Sequence, residues 1–372
     1  MPSVLFTAST FSHIISFHLP YLRRFRELGW QVDVACGGVM RDIPFADAVV
    51  ALPLEKKISA PSNFRAASLL RRRMEREHYD LVVTHTTLAA FFTRWAMRGM
   101  RTRPRVVDVV HGYLFDDGTQ GLKRLLLTEA ERLTAPQTDL LLTMNAWDTQ
   151  WAAAHHAAAR VEEIPGMGVD LSRFQAPEEK RQAMREKLGL AEQDVALIYP
   201  AEFGPRKDQA TLLRAMPLLP QRVKLLLPGR GELLDRCRQQ AAALGVADRV
   251  ILPEFVHNIP DWLAAADISV SSSWKEGLPF HIMEAMACGL PAVASAVKGH
   301  TDLIGPENGL LFPRGDEAAF ADAVRTLAED AGLRAQLGQA GREKMQRYAL
   351  ETVLPQVMER YLSVTGDKGK RI

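Results

Sequence analysis

Residues 276–284 have the sequence Glu-Gly-Leu-Pro-Phe-His-Ile-Met-Glu, in which seven residues separate two glutamates. Gly277 and Pro279 favour a turn after the first glutamate, and the apolar residues after the second are compatible with a helix. Residues 289–291, Gly-Leu-Pro, end that helix, and the apolar residues 292–294 follow as a strand. The segment therefore predicts a loop, a helix and a strand in succession, as in an α/β domain.

The chemistry of this segment suits a phosphorylated sugar. Backbone N–H groups in the first turn of a helix have no partner inside the helix, and they bind the oxygens of anions. Carboxylates accept hydrogen bonds from sugar hydroxyls. The sequence thus predicts a ligand that carries both phosphate and hydroxyl groups.

The rest of the chain forms two series of alternating strands and helices, which predicts doubly wound α/β sheets. Strands are expected at 4–8, 31–35, 81–84, 105–110 and 140–144 in the first series, and at 195–199, 223–227, 250–252, 268–271 and 292–294 in the second. A Gly- and Pro-containing connection at 164–170 separates them. The 372 residues are therefore assigned to two domains, 1–165 and 166–351.

Composition excludes several classes of protein. A hydrophobic content of 47% with 24% charged residues is typical of globular domains, and no apolar run is long enough to span a membrane. The N-terminus lacks the basic region of a signal peptide. Three distant cysteines indicate reduced thiols, so a cytoplasmic location is expected.

Basic residues are concentrated in the first 160 positions, which contain 20 Lys and Arg against 15 Asp and Glu. These residues lie either on solvated helix faces or on a face of the protein that approaches an anion. That anion would be an anionic lipid or a diphosphate-bearing acceptor. Nucleic acid is disfavoured because no nucleic-acid-binding motif accompanies the charge.

Ligands of open α/β sheets bind beyond the carboxyl ends of the strands. After the strand at 195–199, Arg206 and Lys207 enter a helix and are either a diphosphate clamp or two solvated cations. Gly229 and Gly231 follow the next strand in a turn that allows close backbone approach to a ligand, although such turns are common.

Three further segments follow strands in the same way. Val256 lies in a loop whose backbone could pair with a base edge or could be an ordinary connection. His111 follows the strand at 105–110 and is either a ligand contact or a structural histidine. Ser12 and His13, in the loop after the first strand, are expected at the same sheet edge.

Several motifs are absent from the sequence. It contains no Asp-x-Asp, no P-loop, no Gly-x-Ser-x-Gly and no His-x-x-x-His, so no metal site is expected. Leu234 interrupts a Gly-x-Gly-x-x-Gly fingerprint, which disfavours an NAD-dependent oxidoreductase. Protein cations and the helix near Gly277 would then stabilise a diphosphate leaving group.

Together these motifs resemble the retaining GT-B glycosyltransferases of family GT4, and within them the EpsD-type enzymes of exopolysaccharide and capsule synthesis. The resemblance runs nearly end to end. The segments that resemble the family are residues 4–8 and 16–21, His111-Gly112-Tyr113, residues 138–145, Gly168-Val169-Asp170 with Arg173-Phe174, and the glutamate pair with its flanking glycines and proline.

The resemblance implies a GT-B fold, in which two Rossmann-like doubly wound domains face a central cleft and the C-terminal helix, 352–372, completes the first. It implies that Glu284 binds the nucleotide ribose, that Glu276 and His111 contact the donor sugar, and that Lys207 binds the diphosphate. The other implied contacts are Arg206, Gly229, Gly231, Val256, Gly277, Leu278 and Pro279 on the donor side, and Ser12, His13 and His18 on the acceptor side.

Two positions depart from the family pattern. Ala201 and Glu202 replace a common Gly-Arg pair, so Arg206 is expected to substitute for the missing arginine. The N-terminal Gly-Gly phosphate loop of many members is replaced by Ser9–His13.

The implied reaction transfers a sugar from a nucleotide donor, more readily UDP than GDP, with retained configuration, and it needs no cofactor or metal. The acceptor would be a polyprenyl-diphosphate-linked sugar or an oligosaccharide at the inner face of the cell membrane. Alternatives are a soluble enzyme acting on a small molecule, a nucleotide-sugar 2-epimerase of the same fold, and a degenerate domain that only binds.

Overall fold

The computed structural model describes residues 1–175 and 178–366, and the chain divides into two units. The first unit contains Met1–Met167 together with Glu351–Ile372, and the second is Gly168–Leu350. The sequence-based boundary, between 165 and 166, lies two residues before this division. Each unit is built around one sheet of parallel strands.

The described residues of the first unit form seven strands in the order β3-β2-β1-β4-β5-β6-β7, all paired in parallel. Its elements are β1 Ser3–Ala8, α1 Phe11–Phe17, α2 Leu19–Glu27, β2 Gln31–Gly37, β3 Ala48–Leu52, α3 Pro61–Glu77, β4 Leu81–His85, α4 Thr87–Ala96, β5 Arg105–Val109, α5 Gly121–Thr134, β6 Leu140–Thr143, α6 Ala146–Ala154 and β7 Val161–Glu163. The strand order reverses between β1 and β4, where the carboxyl ends of the strands leave room for ligands.

In the second unit, the part of the chain that the structure describes contains six parallel strands in the order β10-β9-β8-β11-β12-β13. Its elements are α7 Glu178–Lys187, β8 Val195–Ile198, α8 Gln209–Ala215, β9 Val223–Leu226, α9 Leu234–Ala243, β10 Val250–Ile251, α10 Ile259–Ala265, β11 Ile268–Ser271, α11 Phe280–Ala287, β12 Ala292–Ser295, α12 His300–Leu303, β13 Gly309–Phe312, α13 Glu317–Glu329 and α14 Ala331–Met345. Here the order reverses between β8 and β11. The prediction of two doubly wound α/β domains is confirmed.

The apolar runs form strands because both faces of each sheet are covered. Val4, Leu5 and Phe6 of β1 are completely buried, and the inner strands of both sheets follow the same pattern. The prediction that Ser12 and His13 lie in a loop is wrong, since both lie in α1, and His18 lies at the junction of α1 and α2.

The last helix, α15 at Leu350–Ser363, returns to the first unit. Its Tyr361 ring lies 6.4 Å from Phe6 and 5.9 Å from Tyr21, measured between ring centroids, and it is fully buried. The predicted bounds of this helix, 352–372, extend past the described residues, since 367–372 lie outside them.

A buried ion network joins α4 to β5 and α5. One Arg94 guanidinium nitrogen lies 3.1 Å from Asp108 Oδ2 and another 3.0 Å from Glu131 Oε2, and the three side chains are at most 5% exposed. The hydroxyl of Thr84 also donates to Asp108, at 2.7 Å. Removing one partner of such a network leaves a buried charge without compensation.

Arg94→Leu should therefore lower the free energy of unfolding by about 3–5 kcal/mol. Urea titration followed by tryptophan fluorescence measures this change. The exposed residue Arg101 provides the control, because Arg101→Leu should change stability by less than about 0.5 kcal/mol. Equal effects of the two substitutions would contradict the role assigned to the network.

Candidate functional site

Three charged side chains meet where the strand order of the second unit reverses. Lys207, in the turn after β8, places its Nζ 2.5 Å from Oε1 of Glu276, which follows β11. Arg206 lies 3.5 Å from the other carboxylate oxygen. Lys207 and Glu276 are 13% and 7% exposed, whereas Arg206 is 51% exposed. The site therefore consists of a buried ion pair with one cation open to solvent.

Hydroxyl groups hold this pair in place. Ser273 donates to Oε1 of Glu276 at 2.6 Å, and the Tyr199 hydroxyl lies 2.7 Å from Ser273 Oγ. The Ser272 hydroxyl donates to the backbone oxygen of Asp208 at 2.7 Å. These bonds connect the turn after β8 to the loop after β11. Sequence reasoning missed all three hydroxyl residues, whose only signal was their position at adjacent strand ends.

Lys207 and Glu276 each favour the ionised form of the other. Burial alone would raise the pKa of Glu276, but the Lys207 and Arg206 charges outweigh it and lower that pKa to about 2. Burial lowers the pKa of Lys207, and the Glu276 carboxylate opposes that effect. Glu276 is therefore an anion at neutral pH, suited to accept hydrogen bonds but not to donate a proton.

The predicted loop at Gly277, Leu278 and Pro279 leads directly into α11, for which Pro279 is the N-cap residue. Gly299, which sequence reasoning missed, packs against this loop with a φ of 82°. A Cβ atom on Gly299 would lie 2.6 Å from the backbone oxygen of Gly277. The close contact requires glycine and fixes the loop that carries Glu276.

Glu284 lies on α11 in an environment different from that of Glu276. Burial raises the pKa of Glu284 to about 7, and the charge of Arg173 only partly opposes this. The two glutamates of the opening segment therefore differ in charge state near neutral pH. A carboxyl group that titrates there can accept or donate a hydrogen bond, which suits contact with a hydroxyl.

Gly229 and Gly231 lie in the turn after β9. A Cβ atom at either position would overlap backbone atoms of the neighbouring loop, at Ala201 for Gly229 and at Phe203 for Gly231. Both glycines therefore bring their backbone close to this loop, whereas the sequence predicted close approach to a ligand. Val256 is half-buried in the loop after β10.

The first unit brings four histidines together at the end of its sheet. His13 Nε2 and His85 Nδ1 each lie 3.2 Å from His111 Nε2. The rings of His18 and His85 stack with centroids 3.7 Å apart, and both side chains are completely buried. Ser12 is exposed nearby, and its hydroxyl pairs with that of Thr10.

Sequence reasoning selected His13, His18 and His111 but missed His85, the last residue of β4. Burial lowers the pKa of all four imidazoles, that of His13 to about 4, so they are neutral at pH 7. One ring nitrogen of each lies within 4.8 Å of the others. The expectation of no metal site rested on local spacing, which cannot detect residues gathered from separate strand ends.

Models of known protein families match both halves of the chain. Residues 21–173 match the model described as Glycosyltransferase Family 4, and residues 180–344 match Glycosyl transferases group 1. EpsD of Bacillus subtilis is 32% identical over 366 residues, which cover 96% of both chains.

A second relative is the UDP-Gal:alpha-D-GlcNAc-diphosphoundecaprenol alpha-1,3-galactosyltransferase of Escherichia coli. It is 27% identical over 74% of this chain and 73% of that enzyme. Among solved structures, Anabaena HepE in complex with UDP has a TM-score of 0.77 at 22% identity, covering 98% of this chain and all of HepE. Sucrose-phosphate synthase from Thermosynechococcus elongatus has a TM-score of 0.82 at 20% identity, covering 99% and 100%. These two structures share the fold.

The environment of Glu284 predicts a pH-dependent stability. Its folded pKa of about 7 exceeds the ordinary value of 4.5, so the folded chain binds the proton more tightly than the unfolded chain does. The free energy of unfolding should therefore fall as the pH rises from about 4.5 to 7. Glu284→Gln should remove this part of the decline and stabilise the protein at pH 8 by about 1–2 kcal/mol.

Urea titrations of both proteins between pH 5 and 8 measure this difference. Glu329→Gln is the matched control, because Glu329 is exposed at the end of α13. Parallel stability curves for the wild-type chain and Glu284→Gln would show that Glu284 is not the group responsible.

Proposed function

Because the chain belongs to the GT-B glycosyltransferases of the GT4 type, we propose that it moves a sugar from a UDP-linked donor to a lipid-linked acceptor with retained anomeric configuration. The product would be an intermediate of a bacterial surface polysaccharide. The observation that carries this proposal is the buried Lys207–Glu276 pair beside Arg206. These residues supply a buried cation, a second cation open to solvent and an anion at the sheet edge where α/β proteins bind ligands.

The two cations would stabilise the departing diphosphate. As the bond between the sugar and the β-phosphate oxygen breaks, negative charge accumulates on that oxygen. Lys207 is held in place by Glu276 before the donor arrives, so little reorganisation is needed during the reaction. The positive end of the α11 dipole adds to the same effect. With these groups we propose that transfer proceeds without a divalent metal at the diphosphate.

The remaining steps need no nucleophile from the protein. The acceptor hydroxyl oxygen forms the new bond on the face that the diphosphate leaves, and its proton passes to the departing diphosphate oxygen. Glu276 would accept a hydrogen bond from a hydroxyl of the donor sugar, and Glu284 would hold the ribose. The sugar contact of His111 and the acceptor contacts of Ser12, His13 and His18 remain predictions.

The relatives support the choice of substrates. HepE is described in complexes with UDP and with UDP-glucose. The Escherichia coli relative is named for transfer from UDP-galactose to a GlcNAc-diphosphoundecaprenol. A polyprenyl-diphosphate-linked sugar is therefore the acceptor class that we propose.

The test begins with the nucleotide. UDP should raise the melting temperature more than GDP or ADP, because a ligand at 100 times its Kd stabilises the folded state by about 2.7 kcal/mol.

UDP-sugars are then incubated with undecaprenyl-diphosphate-GlcNAc in detergent, and NMR of the glycolipid gives the anomeric configuration. An epimerised nucleotide sugar formed without acceptor would identify an epimerase instead. UDP binding with no turnover of any donor would identify a domain that only binds.

Lys207→Met should lower kcat by about two orders of magnitude, since loss of one such contact to the leaving group costs about 3 kcal/mol. Because this substitution also leaves Glu276 buried without its partner, Lys207→Met/Glu276→Gln is measured alongside it. Both variants should lose turnover, while the double variant regains thermal stability. Lys187→Ala, on the exposed face of α7, is the control. Full activity in the folded double variant would contradict the proposed role of Lys207.

The proposed acceptor implies contact with a membrane surface. Among the described residues, no helix combines the length and apolar character needed to cross a bilayer. Helix α5 nevertheless exposes four leucines on one face. Lys123 lies on one side of them, and Arg132, which pairs with Glu129 at 2.8 Å, lies on the other. These leucines are 47–70% exposed: Leu122, Leu125, Leu126 and Leu133. An apolar face flanked by cations binds at the surface of an anionic bilayer, so we propose that α5 is the docking element.

Vesicle flotation at physiological salt tests this proposal. The wild-type chain should float with vesicles of anionic phospholipid and much less with neutral vesicles, because cations near an anionic surface contribute about 1 kcal/mol each. Leu125→Ser/Leu126→Ser should reduce the bound fraction several-fold, whereas Leu218→Ser, exposed in the second unit, should not. Wild-type binding by the double variant would exclude α5 as the docking element.

A further inference from the structure

The four histidines of the first unit come from three separate parts of its sheet. His13 lies on α1, which follows β1, and His18 lies at the end of that helix. His85 ends β4, and His111 follows β5. The parallel register of β1, β4 and β5 places these strand ends side by side. The cluster therefore depends on the fold itself and not on a flexible loop.

Hydrogen bonding inside the cluster leaves polar atoms unsatisfied. A neutral imidazole nitrogen has either one proton or one lone pair in the ring plane. His111 Nε2 nevertheless has two nitrogen neighbours at 3.2 Å, so it cannot form a well-aligned hydrogen bond with each of them. Among residues 1–175 and 178–366, both ring nitrogens of His18 and Nε2 of His85 are buried without a hydrogen-bond partner. Such atoms are costly in a folded protein unless a ligand satisfies them.

A metal ion bound between the rings would take the lone pairs of the three nitrogens that meet at His111 Nε2, together with that of one His18 nitrogen. Zn²⁺ binds imidazole nitrogens at about 2.0–2.1 Å in tetrahedral geometry, which places neighbouring ligand nitrogens about 3.3 Å apart. The two separations of 3.2 Å around His111 match that spacing. Imidazole nitrogen is also a ligand that suits Zn²⁺, Co²⁺, Ni²⁺ and Cu²⁺ in proteins.

We propose that His13, His85 and His111 bind a divalent transition metal ion of the Zn²⁺ type and that His18 supplies the fourth ligand. The ion would fasten α1 to the ends of β4 and β5. All four histidines belong to the first unit, whereas Arg206, Lys207 and Glu276 belong to the second. Because His13, His18 and His111 would then bind the ion, it takes the place of the direct sugar and acceptor contacts predicted for them. The test of the ion requires no substrate.

The test uses the full chain without a histidine tag. After removal of bound metal by a chelator and equilibrium dialysis against Zn²⁺, elemental analysis should find one Zn²⁺ per chain at low-micromolar free metal. Co²⁺ should then give the strong visible absorption typical of tetrahedral nitrogen coordination. Addition of Zn²⁺ should raise the melting temperature, because the ion binds the folded state.

Matched variants identify the ligands. His85→Ala should abolish both the bound Zn²⁺ and the Co²⁺ spectrum, and His13→Ala, on the more exposed side of the cluster, should weaken affinity at least tenfold. His257→Ala, exposed in the second unit, should leave both signals unchanged. Circular dichroism checks that each variant is folded. Less than one bound ion in the wild-type chain, or binding unaffected by His13→Ala, would overturn the proposal.

Discussion

The ion pair between Lys207 and Glu276 constrains the second unit more than any other interaction described here. An ion buried alone costs several kcal/mol, so each partner requires the other to be in place. The turn after β8 and the loop after β11 must therefore adopt compatible conformations, which Ser273 and Tyr199 reinforce through their hydroxyls. The pair also gives the site a charge distribution that exists before any ligand binds, and that is the condition for electrostatic preorganisation.

Glycines set the geometry around that pair by allowing backbones to touch. Gly299 lies against the loop that carries Glu276, while Gly229 and Gly231 lie against the loop that precedes Arg206 and Lys207. Loops packed so closely cannot shift independently, since any side chain at these positions would displace them. The glycines thus act as spacers between loops, a role that differs from the direct ligand approach suggested by their sequence pattern.

The inner strands could be predicted because burial on both faces makes them apolar throughout, as in β1 and β4. The edge strands β3, β7 and β13 were not predicted. Two of the three residues of β7 are glutamates, so no apolar run marks that strand, whereas β3 and β13 contain apolar runs that sequence reasoning overlooked. Within the site, the glutamates and cations could be selected one by one from their positions after strands. Their pairing across 69 residues, and the meeting of His85 with the other histidines, depend on strand order, which a single sequence does not specify.

The return of α15 to the first unit has a consequence for the order of folding. Tyr361 of α15 packs among Phe6, Tyr21 and Phe25, so the aromatic core of the first unit is complete only when α15 is present. On the ribosome, the second unit is a continuous segment and is fully synthesised before that helix. The N-terminal unit, which begins synthesis first, therefore reaches its final packing last, and until then an apolar surface of its core needs protection from aggregation.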